Sequence, residues 1–301
     1  MTFEQLGMVG YGEVGRTFCA GLRPLLTGVA AWDLRFAAAA TRDEAVAHAA
    51  QAGVVARESL QALCADADLV ISAVTASNTL AVAEEAARHI RKGAVFLDLN
   101  SASPGSKQAA AQLIDGAGAH YVEAGVMTSV PPYGIRVPML LGGAHAAELA
   151  VLLNRWGMDT RAVSERLGVA SAIKMCRSVM IKGLEALVIE SYTTARAYGV
   201  EDHMIPTLQE TFPGIDWQRQ GAYFFSRVVQ HGQRRAEEMR EAANTVREAG
   251  FEPFMAAAIA DKQQWVAEQA RAGMFGDVRP GDRWQDYADR LLARGEGAKE
   301  G

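Results

Sequence analysis

Cysteine is scarce in this chain. Only Cys19, Cys64 and Cys176 occur among 301 residues. The number is odd and the spacing suits neither zinc nor a disulfide framework, which points to a reducing cytoplasm. A basic excess is missing too. Net charge is −5, so the electrostatic footprint of a nucleic-acid binder is absent and no nucleic-acid partner is expected. No apolar run reaches the roughly 18–20 residues of a membrane span, and no membrane partner is expected. No secretory leader is read at the start. No internal repeat is visible. Five of the histidines, His48, His89, His120, His145 and His203, show no cluster or ligand spacing and read as surface or capping residues. No metal is expected. What the chain does have is apolar mass: half of its residues are hydrophobic, enough for real cores in one large domain or two ordinary ones.

The opening segment carries the sharpest signal. Gly10, Gly12 and Gly15 form G-x-G-x-x-G directly after a short apolar run. The first glycine allows a tight turn out of a strand, the second lets backbone approach a pyrophosphate, and the third lets the next helix pack closely. The pyrophosphate then meets the free N–H groups of that helix. Tyr11, Glu13 and Val14 share this turn and join the expected cofactor contacts. Asp33 ends the next apolar run, about 20 residues on, where an acid accepts hydrogen bonds from an adenine ribose. The competing reading is a glycine-rich turn that packs a strand on a helix and binds nothing.

Up to about residue 165, short apolar runs alternate with alanine-rich helical stretches. Strands are expected at residues 6–9, 29–32, 67–74, 94–99, 120–123 and 138–142. Near-continuous apolar runs such as 67–74 suit parallel strands buried on both faces. Alternation of strand and helix implies a doubly wound, mostly parallel α/β sheet of Rossmann type. After Gly168 no strand-like run appears. Residues 169–198 read as one helix of about 45 Å, joining an all-α C-terminal domain with breaks near 198–199, 212–214 and 250–253. The expected division is a dinucleotide-binding domain over 1–165 and a helical substrate and dimerisation domain over 166–301. The polar tail from residue 295 reads as frayed.

Four segments in order resemble the β-hydroxyacid dehydrogenase superfamily, which includes 6-phosphogluconate dehydrogenase. They are the G-x-G-x-x-G, then Asp98-Leu-Asn-Ser-Ala-Ser-Pro104, then Glu123-Ala-Gly-Val-Met-Thr-Ser129 followed by Pro138-Met-Leu-Leu-Gly-Gly143, and finally Gly168-Val-Ala-Ser-Ala-Ile-Lys174. The second is similar to D-x-S-T-x-x-P, the third to a degraded D-A-P-V-S-G-G substrate loop, and the fourth to the lysine motif G-x-G/A-x-x-x-K. The segment His231-Gly-Gln-Arg-Arg-Ala-Glu-Glu-Met239 resembles a divergent branch whose C-terminal domain has no known function.

The resemblance implies a hydride transfer between a carbinol and a nicotinamide, with Lys174 as the group that takes or returns the hydroxyl proton. A pocket can lower a lysine's pKa enough for this. The alternative is a surface lysine at a helix end. Ser178 lies one turn on, where the family has asparagine, so substrate recognition differs. Lys182 continues the stripe and reads either as the partner of a distal carboxylate or phosphate or as solvated. Met127, Thr128 and Ser129 replace the family's S-G-G and are expected to hold a substrate carboxylate in a loop stiffened by Pro131 and Pro132. A rigid loop without a ligand is the other reading. Asn100 and Ser101 are placed near the nicotinamide ribose, and Val74 and Thr75 along the cofactor. Arg234, Arg235 and His231 fall on a helix and suit an anion, or form a solvated face with Glu237 and Glu238. Cys176 reads as core. Ile181 stands where decarboxylating members carry an acid, which favours simple reversible oxidation.

Asp33 would repel a 2′-phosphate, which favours NAD over NADP, although Arg35 lies two residues on. The expectation is therefore an NAD(P)-dependent dehydrogenase for a small anionic hydroxy acid, bound in the cleft between the domains. A homodimer is expected by analogy. An oxidoisomerase or imine-type reductase of the same fold, and a catalytically silent dinucleotide sensor, are the competitors.

Overall fold

A computed structural model of the chain describes residues 2–297. In chain order it forms β1 (Gln5–Val9), α1 (Glu13–Leu22), β2 (Gly28–Trp32), α2 (Leu34–Ala37), α3 (Arg42–Gln51), β3 (Val55–Ala56), α4 (Leu60–Asp66), β4 (Leu69–Ser72), α5 (Thr79–Ala87), β5 (Val95–Asp98), α6 (Pro104–Gly116), β6 (His120–Val126), β7 (Pro138–Gly142), α7 (Ala146–Arg155) and β8 (Asp159–Ser164). Then come α8 (Val169–Tyr198), α9 (Glu201–Thr211), α10 (Trp217–Glu248), α11 (Phe254–Arg271) and α12 (Trp284–Gly297).

The strands make one sheet in the order β3-β2-β1-β4-β5-β6-β7-β8. Every neighbouring pair is parallel except β6 with β7. Strand alternation sorts the side chains into two cores. Leu6, Met8, Leu69, Ile71, Val95 and Leu97 meet α1, α3 and α7 through Phe18, Leu22, Ala49 and Leu149. Val9, Val70, Phe96 and Tyr121 meet α4, α5 and α6 through Leu63, Ala83, Ala110 and Ile114. The sheet is thus doubly wound, and all four residues of β4 and of β5 are buried.

Two strands escape the apolar-run reading. β3 has only two residues. β8 reads D-T-R-A-V-S with a single fully buried position, because an edge strand needs little apolar surface. The turn residues follow expectation: Gly199 and Gly250 both take positive φ, at 66° and 86°, and end α8 and α10.

The chain falls into two compact units, divided between Cys176 and Arg177. The sequence division at 165/166 lies before α8, whereas this one lies about two turns inside it. The second unit is helical, with an aromatic core of Tyr192, Trp217, Phe225, Trp284 and Tyr287. Gly221 lets Tyr192 approach α10, since a Cβ there would sit 2.7 Å from its ring. Two expectations need correction. Cys176 is exposed rather than core, because it lies on the face of α8 opposite to buried Met175 and Ser178. The tail expected to fray from residue 295 stays helical to Gly297. Its remaining residues, 298–301, lie outside the described ones. Among the described residues no helix is long and apolar enough to cross a membrane.

Candidate active site

β1 delivers the chain to Gly10, which takes φ 89°. A Cβ there would lie 2.4 Å from the Ala73 carbonyl oxygen, so only glycine fits the turn. Gly15 is held as tightly, its Cβ position 1.9 Å from the Gly10 oxygen. Gly12 differs. It caps α1, and nothing lies within 4 Å of the Cβ it lacks. The outer two glycines close the turn, and the middle one leaves an open face at a helix N-terminus. Those residues fit a pyrophosphate. Val14 packs on the core and Glu13 is exposed. Tyr11 is fully buried, with its hydroxyl 3.2 Å from His48 Nδ1 and its ring on Phe36. Its side chain therefore serves the core, not a cofactor.

Asp33 lies at the end of β2. Its Oδ2 accepts the Tyr11 N–H at 2.6 Å, and its Oδ1 accepts the Arg35 backbone N–H at 2.9 Å and Nε at 3.1 Å. The Arg35 guanidinium also reaches the Tyr11 carbonyl. Burial pushes the Asp33 pKa up, but hydrogen bonds from Arg35 and Tyr11 outweigh it and hold the carboxyl below its ordinary value. An acid and a base thus sit together at the end of β2.

β4 lies beside β1, and β5 beside β4. Asn100 is buried and clamps the two ends together: its Oδ1 accepts the Val74 N–H at 2.7 Å and its Nδ2 donates to Ser72 Oγ at 3.0 Å. Thr75 is exposed and accepts a hydrogen bond from Asn78 at 2.8 Å. Beneath Asn100 lies a network that the sequence reading missed. Asp98 Oδ1 accepts the Asn100 N–H at 2.8 Å and pairs with Lys107 Nζ at 2.9 Å, while Oδ2 accepts the Tyr121 hydroxyl at 2.6 Å. Asp98 and Lys107 are fully buried. Burial and the neighbouring Asp98 push the Tyr121 pKa well up, so its hydroxyl stays a donor.

Lys174 sits on α8 with its Nζ donating to Ser101 Oγ at 2.6 Å. It is half-buried. The helix start is held by Glu123 of β6, which has no exposed surface. Glu123 Oε1 accepts the Gly168 N–H at 2.7 Å and the Ala170 N–H at 3.1 Å, and Oε2 accepts the Ser171 N–H at 3.3 Å. These are donors that a helix N-terminus leaves without intrahelical partners. Two residues on, on the same strand face, Gly125 lets α8 pass, with Lys174 Cβ 3.5 Å from the Cβ that Gly125 lacks. The 127–129 segment follows directly. Met127 is half-buried and its N–H already bonds the Pro138 carbonyl at 2.9 Å, so it offers no backbone donor to a ligand. Thr128 is exposed and Ser129 half-buried.

The helical unit carries the other expected residues. Lys182 is buried, against the solvated reading, and pairs with Glu238 at 2.8 Å while donating to Ser178 Oγ at 3.2 Å. Arg235 is also buried, against the solvated-face reading, and meets Glu185 at 2.7 Å, a carboxylate that Gln263 supports at 3.4 Å. Arg234 stays exposed, 3.9 Å from Glu238. His231 is half-buried. Burial first, then Arg227, Arg234 and Arg235, push its pKa down to about 4. Charge in a helix reads as solvated from the sequence; here an inward face carries Lys182, Glu185 and Arg235.

Comparisons with known proteins agree with this arrangement. Residues 5–148 match the NAD binding domain of 6-phosphogluconate dehydrogenase, and residues 195–266 match a domain of unknown function, DUF1932. The chain is 39% identical to a conserved hypothetical protein from Sinorhizobium meliloti, covering 97% of each chain with a TM-score of 0.76. It is 30% identical to a conserved protein of unknown function described as structurally similar to 3-hydroxyacid dehydrogenases, covering 88% of this chain and 99% of the other with a TM-score of 0.66. At 15% identity, 3-hydroxyisobutyrate dehydrogenase of Mycobacterium tuberculosis shares the fold over 96% of this chain and 99% of its own, with a TM-score of 0.68. The chain therefore belongs to the 6-phosphogluconate dehydrogenase-like family in which an NAD-binding domain is followed by a DUF1932 helical domain.

Proposed function

We propose that the chain is an NAD(P)-dependent dehydrogenase that oxidises a small anionic hydroxy acid, or reduces the corresponding keto or semialdehyde acid. The observation that carries the reading is the Lys174–Ser101 pair, 2.6 Å apart. Ser101 follows the carboxyl end of β5, two strands from the Gly10–Gly15 cradle, at the edge where open α/β sheets bind ligands. A nicotinamide cofactor held at this edge would supply the hydride acceptor for the carbinol carbon. The chain supplies the rest. Lys174 Nζ, in its neutral form, takes the hydroxyl proton as the carbonyl forms, and returns it in the reverse direction. The Ser101 hydroxyl holds that nitrogen in place.

Gly12 and the first turn of α1 receive the pyrophosphate, Asp33 the adenine ribose, and the 74–75 and 100–101 segments the cofactor's nicotinamide half. NAD is the favoured cofactor because Asp33 is ionised, with Arg35 the residue that would admit NADP. Thr128 and Ser129 hold the substrate carboxylate by their hydroxyls. Ser178, Lys182, Arg234 and His231 form the polar set of the helical unit that serves an anionic ligand. Ile181 leaves no acid in place for decarboxylation. The proposal includes a cytoplasmic enzyme, given three unpaired cysteines, and a homodimer formed through the helical domain by family likeness. Light scattering on the pure protein tests the dimer.

Purified protein offered NAD and NADP separately, against 2- and 3-hydroxy acids, aldonates and their phosphates, is expected to give a reduced-nicotinamide signal with at least one pair. Tight dinucleotide binding with silence across the panel would favour the sensor reading instead.

A further inference from the structure

β5 and β6 are parallel neighbours, and Asp98 faces Glu123 across them as a register pair. Both acids have no exposed surface. Each holds one half of the Lys174–Ser101 pair. Asp98 bonds the Asn100 N–H and the Lys107 ammonium, and so fixes the segment that carries Ser101. Glu123 bonds three backbone N–H groups at the start of α8, and so fixes the helix that carries Lys174. We propose that Asp98 and Glu123 are a matched pair of positioning residues that set the distance between Lys174 and Ser101.

The chain has made room for both. A Cβ on Gly142 would lie 2.5 Å from Glu123 Oε1. Gly168 takes φ 95° as it turns its N–H toward the carboxylate. Lys107 donates to the Asp98 carbonyl oxygen as well as to the side chain, tying α6 to the end of β5. An acid buried only to stabilise the fold would cost desolvation that apolar residues avoid. Two such acids, side by side at the sheet's carboxyl edge and each one step from a residue of the pair, are explained by the geometry they enforce.

The proposal rests on the dehydrogenase reading only for its activity arm, so the first readout is spectroscopic. Proton exchange of the Lys174 ammonium is followed by nitrogen-detected NMR in the full-length protein. Ser101→Ala sets the value for a broken pair. Glu123→Gln, Gly142→Ala, and Asp98→Asn combined with Lys107→Met are each expected to speed exchange by roughly tenfold or more, the loss of one charge-assisted hydrogen bond. Glu123→Gln and Gly142→Ala keep dinucleotide affinity, and with a substrate in hand they lower kcat while leaving KM for the dinucleotide unchanged. Folded variants that exchange at the wild-type rate would overturn the proposal. So would three variants that all fail to fold, since the acids would then be structural. Turnover that survives Lys174→Ala would remove the proton-transfer role of Lys174 and leave the exchange result standing.

Discussion

Lys107 is a lysine with no exposed surface, answered by a single equally buried carboxylate, Asp98. Removing one member of such a pair strands the other's charge in the core. Lys107→Met is expected to cost about 3–5 kcal/mol in urea unfolding, far more than the same change at an exposed lysine. His231 gives a pH signature. Its pKa is pushed down to about 4 from 6.5 by burial and by Arg227, Arg234 and Arg235, with Glu238 opposing them. The folded state therefore binds fewer protons than the unfolded state between those values. Its contribution is fully present above pH 6.5 and is lost as pH falls toward 4. Unfolding midpoints are expected to fall over that window, and His231→Gln should flatten the fall. Arg35 speaks to cofactor choice. Arg35→Ala is expected to leave NADH affinity near wild type and to weaken NADPH binding severalfold, read by fluorescence titration. The glycine motif, Asp33 and Lys174 were legible in the sequence because each has a fixed spacing from its neighbours. Lys107, Glu123 and Arg235 were not. Their partners lie 9, 45 and 50 positions away, and nothing local marks a charged residue as buried.

At the scale of elements, the glycine turn separates two effects that a single substitution usually mixes. Gly15→Ala would place a Cβ 1.9 Å from the Gly10 oxygen, whereas Gly12→Ala meets nothing within 4 Å. The first is expected to destabilise the protein by about 1–3 kcal/mol through overpacking. The second is expected to leave the melting temperature nearly unchanged and to weaken dinucleotide binding, because the new methyl stands where the pyrophosphate approaches. Calorimetry on both variants checks the pair. The central strands announce themselves as apolar runs because both faces are buried. β8 does not, because half of a polar edge strand faces water. α8 was legible as one helix over its full length, since only Gly183 interrupts it. What holds its start was not, because the capping acid comes from β6 rather than from the residues before the helix.

At the scale of the whole molecule, the two units divide the chemistry. The sheet unit holds the nucleotide cradle, the Lys174–Ser101 pair and the two buried acids. The helical unit holds an aromatic core and an inward ionic set around Lys182, Glu185 and Arg235. The motifs foretold the family. The substrate is not legible, because the positions that would name it, 127–129 and 178, depart from the better-known pattern. The central claim is that Lys174 moves the proton in a nicotinamide-linked oxidation. The most direct test follows the reduced-nicotinamide absorbance of wild type and Lys174→Ala side by side, with dinucleotide affinity measured on both. The account predicts a loss of about 10²–10⁴-fold in turnover at unchanged affinity. Equal turnover in the two proteins would contradict it.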